Sequence, residues 1–192
     1  VTLQIPASEA ADLFRWFPIL AMVLTPFLGA FLDNKGKGAT MLMIGAIIMI
    51  ACHLSFAFLL PAFPSKGFAL LLIVILGVSF SLVPAALWPS VPKIIDPMIL
   101  GSAYSLIFWI QNIGLWLFPM LIGKILDSTN KDLVAQVNSG ALSAEAAATQ
   151  YNYTAPLLML ACLGIAALIL GIILKRVDKK KGLGLELPNI AE

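Results

Sequence analysis

The chain has 192 residues with only 12 basic and 10 acidic side chains, a formal net charge of +2 and an apolar content of 60%. Soluble domains carry about a quarter charged residues, so this balance excludes a disordered chain, a nucleic-acid binder and an ordinary cytosolic enzyme. Long apolar runs parted by short polar joints describe instead an all-α, polytopic bundle of membrane helices.

In chain order, residues 1–11 read as an extracytoplasmic loop leading into a helix. The chain opens on Val1 with no basic leader ahead of a short apolar core, so no signal peptide is expected, and a fragment or processed chain that starts between two spans is. Five runs close to the roughly 20-residue requirement follow, at 12–32, 40–60, 67–88, 98–122 and 155–174. Their continuous apolar character selects helices over barrel strands, which would be shorter and would alternate.

Asp12 and Arg15 open the first span at a spacing that lets them pair. Cys52 in the second span and Cys162 in the fifth read as small core residues, not as a metal or disulfide pair. His53, the sole histidine, reads as a satisfied side chain in preference to a proton carrier. The third span carries Gly77, Ser81 and Ala85 four residues apart, a small-residue stripe that admits a close neighbour. Pro84 and Pro89 can bend or end that helix. Trp88 either closes its cytoplasmic end or is an interfacial aromatic. Asp96-Pro97 is a cap and first-turn signal for the fourth helix.

The fourth span carries the most information. Tyr104, Phe108, Gln111 and Leu115 share one face, with Ser105, Asn112 and Trp116 on an adjacent stripe. Gln111 and Asn112 sit near mid-membrane, where each amide needs partners or water. Such a mixture suits a cavity that binds a polar solute, and it equally suits amides that hold helices together. The joint from Ser128 to Thr154 is the one long polar connection, with a short helix after Ser143 and a sequon at Asn152-Tyr153-Thr154.

Orientation follows from the basic residues. Lys35, Lys37, Lys93, Lys175, Arg176, Lys179, Lys180 and Lys181 fall on one side, and Arg15, Lys66, Lys124 and Lys131 on the other. The richer side is expected to be cytoplasmic, which makes residues 175–192 a basic cytoplasmic tail and puts Val1 outside. The membrane itself, plasma or inner membrane or a lysosome-like organelle, stays open.

Gly29 to Asp33 after the first span is echoed by Gly123 to Asp127 after the fourth, with Pro26 and Pro119 shortly before. The two copies fall on opposite sides, as inverted three-helix repeats would. Gly29-Ala-Phe-Leu-Asp33-Asn34-Lys35-Gly36-Lys37-Gly38 resembles the loop that joins helices 2 and 3, or 8 and 9, of the major facilitator superfamily. Asn34 and Gly38 stand where that loop usually has bases. The stretches Ala86-Leu87-Trp88-Pro89, Leu100 to Tyr104 and Ile110 to Gly114 are similar to helices 10 and 11 of its lysosomal dipeptide-transporter branch. The resemblance covers nearly the whole chain, as helices 8 to 12. It implies that Asp33 docks on the other half and holds the cytoplasmic gate shut, with Lys37 as a basic partner of carbonyls or lipid phosphate. Gly29 and Gly36 would serve close packing and the turn.

Asp33, Asp96 and Asp127 all lie at span ends, so no mid-membrane coupling carboxylate is expected. No His, Cys, Asp and Glu cluster suggests a catalytic residue, a metal or a cofactor. No phosphate-binding glycine loop suggests an ATP-driven pump. The first function expected is the C-terminal half of a secondary or facilitative transporter. It would move a small polar solute, a peptide or organic anion, by alternating access. Its partners would be that solute, the lipid bilayer and the missing N-terminal helical half, and no nucleic acid. The alternative is a non-transporting membrane scaffold or subunit built from the same unit.

Overall fold

The computed structural model describes Leu3 and residues 5–189. The expectations for Val1 and for the last three residues of the tail lie outside the described residues. No strand occurs among the described residues, and five helical spans are long and apolar enough to cross a membrane.

The first span is α1 (Ala7–Phe14) and α2 (Trp16–Lys35), interrupted for one residue at Arg15. The break sits where Pro18 has no N–H to offer the Phe14 carbonyl. The helix thus begins inside the stretch read as a loop. Asp12 and Arg15 pair at 3.1 Å as their spacing predicts, both well exposed, so the pair contributes little. The second span is α3 (Gly38–Leu54), a π-helical turn at Ser55–Leu59 and a last turn, α4 (Leu60–Ala62). The third is α5 (Lys66–Ile94), which runs straight past the predicted end at Trp88 and through Pro84, Pro89 and Pro92. The fourth is a 3-10 turn at Pro97–Ile99 followed by α6 (Leu100–Thr129). Asp96 caps it, its Oδ1 accepting from the Met98 N–H at 2.8 Å. The short α7 (Lys131–Asn138) and α8 (Ala144–Ala148) fill the long joint. Ser143 caps α8 by accepting from the Ala146 N–H. The fifth span is α9 (Thr154–Lys181). It outlasts the apolar run because lysine and arginine are good helix formers and suit the negative end of the helix dipole. Gly182, at φ 66°, ends it.

Four spans pack as a row. α2 lies on α5, α5 on α3, and α3 on α9. Small residues set each spacing. A Cβ on Gly77 would meet Leu20 and the Phe17 carbonyl of α2 at 3.4 Å, so the predicted stripe on α5 is the seam with α2. Ser79 Oγ donates to the Gly45 carbonyl at 2.7 Å across α5 and α3. Gly164 and Gly171 of α9 leave room for Ile50 and Met43 of α3. Buried apolar clusters close the row at its two ends, Leu32 with Ala85 and Ala86 at one, Leu60 with Ala69 and Leu72 at the other. α6 stands off from this row. It touches α9 briefly and α5 through Trp88, and none of its residues is buried.

Two single residues complete the comparison with the sequence. His53 Nδ1 donates to the Met49 carbonyl at 2.8 Å, the satisfied histidine expected. Cys52 is buried, but Cys162 is exposed on the outer face of α9, so only the first is a core residue.

Candidate functional site

Three of the five residues expected to line a solute path meet where α5 and α6 approach. The Trp88 ring stacks on Phe108 with centroids 5.1 Å apart and lies tilted against Tyr104 at 5.8 Å. Spacing along α6 explains half of this, since Tyr104 and Phe108 are four residues apart on one face. Proline chemistry explains the rest. Pro92 has no N–H to donate to the Trp88 carbonyl, so that oxygen lacks its helical partner. The Tyr104 hydroxyl donates to it at 3.2 Å. A proline-freed carbonyl within a membrane span needs such a donor, and Tyr104 supplies it from the next helix.

The two amides do not join this cluster. Asn112 Nδ2 turns back to the Phe108 carbonyl of its own helix at 2.8 Å. Gln111 is exposed, as are Phe108, Trp109, Leu115 and Trp116. Thus α6 presents an uncovered face of aromatic rings and a free amide.

The loop residues assemble at the end of the bundle that carries the chain's C-terminal segment. Gly36 adopts φ 70° and ψ −138°, and its N–H donates to the Leu32 carbonyl at 2.7 Å to end α2. Its left-handed φ favours glycine, and a Cβ there would run into the Leu187 backbone. Lys37 is also left-handed, at φ 71°. Gly29 has no neighbour within 4 Å of a would-be Cβ, so nothing among the described residues needs its small size. Asp33 Oδ1 accepts from Asn189 Nδ2 at 2.7 Å, and its carbonyl accepts from the Asn189 N–H at 3.0 Å.

Asn189 belongs to the segment that the sequence reading took for a basic cytoplasmic tail. After Gly182 the chain folds back over the α2–α3 turn. The Lys37 and Gly38 N–H groups donate to the Glu186 and Leu185 carbonyls at 3.1 and 3.0 Å. The Glu186 carboxylate accepts from the Thr40 N–H at 2.8 Å and its hydroxyl at 2.7 Å. These bonds satisfy N–H groups that the start of α3 would otherwise leave open, and they put a negative charge at its positive end. Lys175 Nζ of α9 donates to the Thr40 hydroxyl at 2.6 Å. Lys93, at the end of α5, donates to the Gly184 and Leu187 carbonyls at 3.0 and 2.7 Å. Asp178 of α9 accepts from the Leu185 N–H at 3.0 Å, and Leu185 is only 1% exposed. The signal that marks this segment in the sequence is Leu183, Leu185 and Leu187 at every second position between glycines and a proline. A freely solvated tail has no use for that alternation.

The opposite end holds a second polar knot. Asn130 donates to the Leu126 and Asn152 carbonyls at 2.8 and 3.2 Å, and its Oδ1 accepts from the Asn152 N–H at 2.8 Å. Its partner Asn152 borders a cleft of about 340 Å³ that Phe56, Pro61, Tyr151 and Tyr153 also line. Burial pushes the Tyr153 phenol above its ordinary pKa, and Tyr151 adds to the shift. No group of three His, Cys, Asp or Glu side chains that could hold a metal occurs among the described residues.

No family model matches the chain, and no solved structure does. Curated proteins do. The chain is 32% identical over 125 residues to the lysosomal dipeptide transporter MFSD1 of Gallus gallus, a match that takes in 65% of this chain and 27% of that protein. It is 35% identical over 109 residues to the Danio rerio protein of that name, and 31% identical over 110 residues to that of Homo sapiens. These two matches cover 57% of this chain and 22% of each relative. The chain therefore spans about a quarter of the length of the relatives it matches. The likeness read from the sequence, to this transporter branch of the major facilitator superfamily, holds.

Proposed function

We propose, with that similarity as the premise, that the chain is the C-terminal portion of a membrane transporter for small polar solutes, with dipeptides as the first candidates. It would work by alternating access, in which this bundle and a second one rock about a site between them. The uncovered face of α6 carries the reading. Four spans bury their small-residue seams against one another, and the remaining one, α6, leaves its rings and the Gln111 amide open. An unpaired amide on such a face is costly against hydrocarbon, and rings beside an amide are well suited to a solute path. In this reading Trp88, Tyr104 and Phe108 form the end wall of the path on the C-terminal side. Gln111 offers a donor and an acceptor to a peptide group, and Asn112 supports the helix. The basic C-terminal side is cytoplasmic, and the remaining helices of the longer protein cover the other side of the path.

The test is uptake by the full-length parent in liposomes, screened with dipeptides and organic acids. Gln111→Ala and Tyr104→Phe each remove one hydrogen-bonding group, a net loss of about 1 kcal/mol. That corresponds to uptake about fivefold slower with folded protein retained. Unchanged kinetics in both variants would remove this face from the path. A parent that carries none of these solutes would leave the scaffold reading.

A further inference from the structure

Every helix terminus at the C-terminal end of the bundle except that of α6 is tied to one eight-residue segment. Residues 182–189 touch the end of α2 at Asp33, the start of α3 at Gly38 and Thr40, the end of α5 at Lys93 and the end of α9 at Asp178. The ties differ in kind along the segment. Leu185 is an apolar anchor, sealed between α3 and α9. Glu186 follows with part-buried bonds to Thr40, and from Leu187 onward the contacts are polar and open to water. Leu187 is 63% exposed, and the Asn189 side-chain bond to Asp33 is solvent-exposed. Exposed hydrogen bonds of this kind exchange with water at little net cost. A sealed anchor followed by an exchangeable tip is the build of a latch.

We propose that residues 182–189 are a latch on the α2–α3 turn. Leu185 fixes it to the bundle, and its tip from Leu187 to Asn189 holds Asp33 in one state and releases it in another. This rests on the transporter reading, because that reading requires the helix ends on this face to shift. While the tip is down, Asn189 holds one carboxylate oxygen, Oδ1, and the carbonyl of Asp33. The Leu187 backbone lies against Gly36 so closely that no Cβ fits. A partner helix that takes both oxygens of Asp33 displaces the Asn189 amide, so the latch and the second bundle compete for Oδ1. Only a residue without a side chain fits under the tip, which makes Gly36 the seat of the latch.

The experiment uses the full-length protein with Lys37→Cys and Leu187→Cys, two exposed positions on either side of that seat. A short bifunctional thiol reagent, removable by a reductant, bridges them. Uptake by the bridged protein is expected to fall at least about tenfold against the same protein after reduction. Bridging yield is expected to drop about threefold when solute is present on both sides of the membrane. A bridged protein that transports as fast as the reduced one overturns the latch and leaves the transporter reading intact. So does failure of the reagent to bridge, since the tip is then not at the turn. If the reduced variant is itself inactive, a bridging yield unmoved by solute overturns the latch and a falling yield supports it. Absence of uptake by the unsubstituted parent removes the transporter reading, and the latch falls with it.

Discussion

α5 and α6 are nearly equal in length, at 29 and 30 residues, and both carry proline inside the helix. Yet α5 is buried along its course, from Ala69 to Val91, while α6 buries no residue. Lipid is as apolar as leucine, so hydrophobicity cannot decide which membrane helix sits in the middle. Close approach decides it. α5 offers Gly77, Ser81 and Ala85 to α2 and Ser79 to α3. The glycines of α6 face no other helix: a Cβ on Gly101 or Gly123 would meet nothing, and one on Gly114 would meet only Phe118 of its own helix.

The largest effect expected from this contrast comes from filling one seam and leaving the other alone. Gly77→Leu places a side chain where α2 already lies at contact distance. Overpacking of this kind costs typically about 1–3 kcal/mol. Gly101→Leu enters open space and should stay within about 0.5 kcal/mol, as exposed substitutions do. Thermal unfolding of the two variants in detergent measures the difference. Equal losses would mean that helix packing in the longer protein is not the packing of this bundle.

This contrast also marks how far the sequence could be read. The five spans were legible from length and hydropathy, and a close-packing face on α5 from the spacing of Gly77, Ser81 and Ala85, but not that α2 is the helix it meets. The Trp88, Tyr104 and Phe108 cluster was half legible. Periodicity put Tyr104 and Phe108 on one face, but the link to Trp88 runs through a carbonyl that Pro92 frees on another helix. The folded-back segment was not legible by charge counting, because five basic residues from Lys175 to Lys181 dominate the composition just ahead of it. Its bonds are mostly to backbone groups, which every residue carries, so the alternating leucines mark the segment but no side-chain pattern announces its partners. The early end assigned to the third span has a similar origin. Proline is a helix breaker in water, whereas in α5 the Trp88 carbonyl that Pro92 frees takes the Tyr104 hydroxyl from the next helix.

A smaller effect is expected at the end of the bundle opposite the latch. There a single side chain, Asn130, joins the end of α6 to the start of α9. Asn130→Ala leaves the Asn152 N–H without its partner, a loss of about 1–3 kcal/mol if the site stays dry and less if water enters. Faster amide exchange across residues 131–153, with the spans unaffected, is the expected signature. Unchanged exchange would mean that α7 and α8 are held by contacts other than this knot.

The smallest effect is the most discriminating, because it should change sign between the two helices. Ser79 is fully buried, and its hydroxyl crosses from α5 to the Gly45 carbonyl of α3. That carbonyl keeps its helical partner when the hydroxyl is removed, so no orphan acceptor is created. Ser79→Ala should therefore cost only the interhelical bond itself, which averages about 0.6 kcal/mol in membranes. Ser105 on α6 is exposed and bonds back to the Gly101 carbonyl of its own helix at 2.9 Å. Such a back-bond bends a helix and slightly destabilises it, so Ser105→Ala should be neutral or mildly stabilising. Unfolding midpoints of the two variants, measured side by side, should move in opposite directions or differ in size severalfold. A loss at Ser105 as large as that at Ser79 would mean that the hydroxyl reaches across to another helix of the longer protein, and that this part of α6 is a packed seam there and not the wall of a solute path.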